Sequence, residues 1–61
     1  MKNGELRQFN HWHVAPIHSG KIFLVVSARE TLCDILVDGK LSRNNDLLYV
    51  KHNSRPLNET G

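Results

Sequence analysis

The sequence predicts an α+β fold: a small antiparallel sheet, in the order β-β-α-β-β, with one helix packed on one face. Three observations lead there. "IFLVVS", Ile22 to Ser27, is a β-branched and aromatic run of strand length. Beyond it the apolar spacing becomes helical at Leu32, Ile35 and Leu36. The turn signals His18-Ser19-Gly20-Lys21 and Asn44-Asn45 divide the remainder into short strands.

The first strand is read in "NHWHV", Asn10 to Val14, where imidazole and apolar side chains alternate with period two. His11 and His13 share one side of it, opposite Trp12 and Val14. Pro16 ends the run, since proline has no N–H to give to a sheet ladder. With Ile22–Val26 it makes a hairpin whose loop crosses Ala15 to Gly20.

The helix is placed over roughly 28–38. Ser27-Ala28-Arg29-Glu30 has the form of a capping box, in which serine accepts from the first turn and glutamate reaches back. Gly39 is a natural stop. A rival reading takes Asp38-Gly39 as a type I′ hairpin turn, makes 31–37 a strand and turns the fold into a small all-β barrel. The capping box and the Leu32/Ile35/Leu36 spacing favour the helix.

A second hairpin follows, with Lys40–Arg43 and Asp46–Lys51 flanking Asn44-Asn45. The polar segment 1–8 and the tail 53–61 are expected to fray. That leaves one domain, 1–61, with an ordered core of about 9–52.

A chain of 61 residues buries only about 60% of the surface its unfolded form exposes. Burying the apolar 39% of it at ~25 cal/mol/Å² contributes roughly 90 kcal/mol, and ordering the chain at ~1.5 kcal/mol per residue costs about the same. Such a domain needs help from a disulfide, a metal or self-association. Cys33 is the only cysteine, which excludes an internal disulfide. Both faces of the central strands are apolar, and one helix covers only one of them. The expectation is therefore a homodimer through the uncovered face, read as the surface around Trp12, Phe23, Val25 and Tyr49.

The first residues contain no apolar signal core, and no apolar run reaches the ~20 residues of a membrane span. A cytoplasmic location with no membrane contact is expected. Asn58-Glu59-Thr60 then reads as a chance match to the glycosylation pattern.

Charge is unevenly spread. Residues 1–27 hold Lys2, Arg7 and Lys21 against Glu5; 28–39 hold Arg29 against Glu30, Asp34 and Asp38; 40–61 hold Lys40, Arg43, Lys51 and Arg55 against Asp46 and Glu59. On a helix Glu30, Asp34 and Asp38 stand in a row four apart, an arrangement that helix stability alone does not favour. The row is a solvated face or a docking surface for a basic partner.

His11 and His13 could chelate a metal from one strand face, but no recognised ligand spacing accompanies them. They read first as the wet side of the strand. Cys33 beside Leu32 and Leu36 reads as packing. No constellation calls for an enzyme or a cofactor.

The expected function is that of a small non-enzymatic binding or regulatory protein acting through protein–protein contacts. Its binding residues are Glu30, Asp34 and Asp38, or Trp12, Phe23 and Tyr49. Chains of this size are common among phage and mobile-element accessory proteins. The alternative is a nucleic-acid-binding regulator using Lys40, Arg43, Lys51 and Arg55 of the 40–55 hairpin.

Overall fold

The computed structural model describes residues 1–11 and 18–57. Its elements are β1 (Leu6–Phe9), β2 (Ile22–Ala28), β3 (Leu32–Val37), β4 (Lys40–Asp46), α1 (Leu47–His52) and β5 (Ser54–Pro56). The five strands form one antiparallel sheet in the order β4-β3-β2-β1-β5. The first four make a meander. The helix then carries the chain from one edge of the sheet to the other, where β5 pairs with β1. Among the described residues β4 and β5 do not pair, so the sheet stays open and the barrel is not formed. No described helix is long and apolar enough to cross a membrane.

The expected order β-β-α-β-β is corrected to β-β-β-β-α-β. Residues 28–38 are not a helix. Cys33, Ile35 and Val37 of β3 point into the core, while Leu32, Asp34 and Leu36 point away, which is the period of a strand. Ile35 and Leu36 look like neighbours on a helix face, yet they lie on opposite faces of the sheet. Asp38 and Gly39 have φ of 53° and 73°, the two positive values a type I′ turn requires. That turn pairs Val37 with Lys40 and Leu36 with Leu41. Ser27 lies in β2 and caps nothing; its hydroxyl accepts from Arg29 Nη1 at 3.3 Å.

The second hairpin is also replaced. Lys40–Asp46 is a single strand, and the Asn44 that was expected to turn the chain marks a bulge instead, with φ of 57°. Cys33 pairs with Asn45 and Ile35 with Ser42, so Arg43 and Asn44 together oppose Asp34. The helix begins at the next residue because Asp46 caps it: its Oδ1 accepts from Leu48 N at 3.0 Å and Tyr49 N at 3.4 Å. Asn53 closes the other end, its Nδ2 donating to Tyr49 O at 2.8 Å.

The segments 1–8 and 53–61, expected outside the ordered core, contribute β1 and β5. A buried cation ties them together. Arg7 Nε donates to Ser54 Oγ at 2.8 Å, and Nη2 donates to Ser54 O at 2.9 Å and Lys51 O at 3.2 Å. Nη1 reaches Glu5 at 3.3 Å. The guanidinium thus satisfies Lys51 O in the last turn of the helix, where the helix dipole favours a cation, and Ser54 O at the start of β5.

The core lies between α1 and one face of the sheet. It holds Phe9, Phe23, Val25, Cys33, Ile35 and Val37, with Val50 coming from the helix. The rings of Phe9 and Phe23 pack with centroids 4.4 Å apart.

Candidate functional site

The alternation that fills the core also fixes what the other face carries. On β2, Phe23 and Val25 point inward, so Ile22, Leu24 and Val26 point outward. The expected assignment is therefore reversed: Phe23, 1% exposed, is core, and the open face is the one centred on Leu24.

Backbone register joins that face into a row. Leu6 pairs with Leu24, Leu24 with Leu36, and Leu36 with Leu41. Leu57 N donates to Leu6 O at 3.0 Å, which extends the row past the end of β5. Four leucines thus cross β1 to β4 and Leu57 continues the row just beyond β5, a breadth of about 19 Å at ~4.8 Å per strand. Leu6, Leu36, Leu41 and Leu57 are each between 37% and 46% exposed, and Ile22 and Val26 extend the patch at 53% and 42%. Among the described residues nothing covers it.

Polar residues border the row. On one side the register places Gln8 beside Ile22 and Arg55, with Arg55 Nη2 3.4 Å from Gln8 Oε1. On the other side stand Ser27, Asp34 and Asn44. Arg29 donates to both oxygens of Asp34, at 3.1 and 2.9 Å, and to Asn44 Oδ1 at 3.0 Å. Asn44 N also donates to Asp34, at 2.9 Å. The Arg29 guanidinium, then the Asn44 N–H, hold the Asp34 carboxyl at about 2, below its ordinary 3.8. An apolar centre with a polar rim is the anatomy of a protein interface.

The acidic row does not form. Glu30 sits in the turn before β3, Asp34 on β3 and Asp38 in the turn after it. Glu30 and Asp38 are separated by the length of a six-residue strand, about 20 Å at ~3.3 Å per residue. Asp34 is engaged with Arg29, and Asp38 pairs with Lys21. Tyr49 lies on α1, off the sheet, and Trp12 and His13 fall outside the described residues.

The basic set is dispersed as well. Lys40 and Arg43 belong to β4, Lys51 to α1 and Arg55 to β5, so the expected hairpin becomes two opposite sheet edges and a helix. His11 is exposed, with Nδ1 3.4 Å from Ser19 Oγ. Its ring lies against Gly20, where a Cβ would come within 2.5 Å of it. Among the described residues no three His, Cys, Asp or Glu side chains gather to hold a metal. Cys33 is fully buried, and burial pushes its thiol pKa up.

Sequence reasoning missed two features. The leucine row was available through the Asp38-Gly39 turn, which by itself sets Leu36 opposite Leu41. The Arg7 clamp gave no such signal, because its partners lie 44 and 47 residues away. Comparison of the chain with protein-family models, with curated proteins and with solved structures finds no match.

Proposed function

We propose that this chain is a small non-enzymatic binding module whose working surface is the open face of its sheet, centred on Leu24. One observation carries the reading: the leucine row runs the full breadth of the sheet, between polar borders, with no described residue over it. Contiguous apolar patches of this kind mark interaction sites on soluble domains. Protein is the partner class such a surface fits, because its centre offers apolar contact and no cations for phosphate.

Nucleic-acid binding through residues 40–55 draws less support, since Lys40 and Arg43 stand at the opposite edge from Arg55. The test compares wild type with Leu24→Lys and Leu36→Lys in quantitative crosslinking under native conditions, with circular dichroism to verify the fold. Crosslinked partners, copies of the chain included, should be lost from both variants. A crosslinked set unchanged in both would show that the face is not the working surface.

A further inference from the structure

We infer that the occupant of the open face is a second copy of this chain, packed face to face as a two-layer sandwich. The inference rests on the reading of that face as the working surface, and it names the partner. Breadth is the first argument. A helix is ~10 Å across and would cover about half of the ~19 Å row, whereas a second sheet stacked ~10 Å away covers all of it. Sheets packed this way keep their strands within about 30° of alignment.

Area gives the second. The molecule measures 28 × 24 × 22 Å and exposes 4346 Å². A standard interface takes about 800 Å² from each partner, close to one whole sheet face of a molecule this size. A partner has to match that entire face, and a copy presents the same outline.

Self-complementarity is the third. A two-fold interface sets a surface against itself, so unpaired charge near its centre repels. The row carries none, and its middle residue, Leu24, lies on the central strand. Of the charges at its border, Asp34 is matched by Arg29, and Arg55, hydrogen-bonded to Gln8, stands on the edge strand away from the centre. Association through the edges is discouraged. β5 has three residues and contains Pro56, and β4 carries a bulge with Lys40 and Arg43.

Sedimentation equilibrium of the full chain at micromolar concentrations tests this. The expected mass is twice 7.0 kDa. Leu24→Lys and Leu36→Lys should each weaken association about 100-fold or more. Leu41→Lys, on the edge strand where a charge disturbs the fold least, should weaken it less while remaining folded. Isotope-filtered NOEs between labelled and unlabelled copies should connect methyls of Leu6, Leu24 and Leu36. A monomeric mass with a dispersed, folded spectrum overturns the inference, as does a dimer indifferent to all three lysine variants. If the chain is monomeric yet Leu24→Lys still abolishes crosslinking to other proteins, the second copy is wrong and the working surface stands. If crosslinking is also unchanged, both fall.

Discussion

The two faces of this sheet are built from the same kinds of residue and differ in what lies over them. One face carries Phe9, Phe23, Val25, Cys33, Ile35 and Val37 under α1; the other carries a row of leucines with nothing described above it. On β2 the contrast falls between adjacent residues, Phe23 at 1% exposure and Ile22 at 53%. Apolar character alone therefore does not say which face is the core. The covered face is the one the six-residue helix reaches, and Arg7 and Asp46 decide where that helix lies.

Substitutions on adjacent residues would break the comparison most clearly. Phe23→Ala should cost about 3–5 kcal/mol in urea denaturation, through lost burial and the cavity left behind. Leu24→Ala should cost about 1 kcal/mol or less in dilute solution, and more as concentration rises if a second copy covers the face. Equal costs at every concentration would mean that the faces are not distinct.

Next in size is Arg7→Ala. It leaves the Ser54 and Lys51 carbonyls without their donor at the junction of helix and β5, and should cost about 3 kcal/mol. Hydrogen exchange should rise first at Arg55 and Leu57, which would show that the clamp ties β5 to the end of α1.

The smallest effect belongs to the border of the open face. Asp34 has its carboxyl held at about 2 against an ordinary 3.8. A folded value below the unfolded one means that its contribution is complete above the unfolded value and is lost as pH falls from about 4 to about 2. Asp34→Asn should therefore flatten the acid limb of the stability profile over that window. A profile identical to wild type would show that the Arg29–Asp34–Asn44 network adds nothing to the bulge.

Much of the sheet was legible. Ile22–Ser27 is nearly β2, and the weaker of two readings for 31–37, a strand ending in an Asp-Gly turn, is the one the structure adopts. Over this stretch a local capping pattern at Ser27–Glu30 competes with the alternation at Cys33, Ile35 and Val37, and the alternation prevails. A capping box contributes about 1 kcal/mol, while three inward side chains on a paired strand contribute several. Asp46 is as good a local capping signal as Ser27, yet it follows the turn-like Asn44-Asn45, which masks it in the sequence. Leu6–Phe9 and Ser54–Pro56 are too short and polar to announce themselves; each is a strand because the other strands offer it an edge.

By itself the sequence determined that one small antiparallel sheet would form, that its central strands would be apolar on both sides, and that a single short helix could cover only one. Those properties follow from composition and from the two-residue period of a strand, which need no partner to operate. Only the tertiary structure decided which face is covered, which strands form the edges, and that five leucines from separate segments line up. These depend on register and on contacts such as Arg7 to Ser54, which join residues 47 positions apart and which no local window contains.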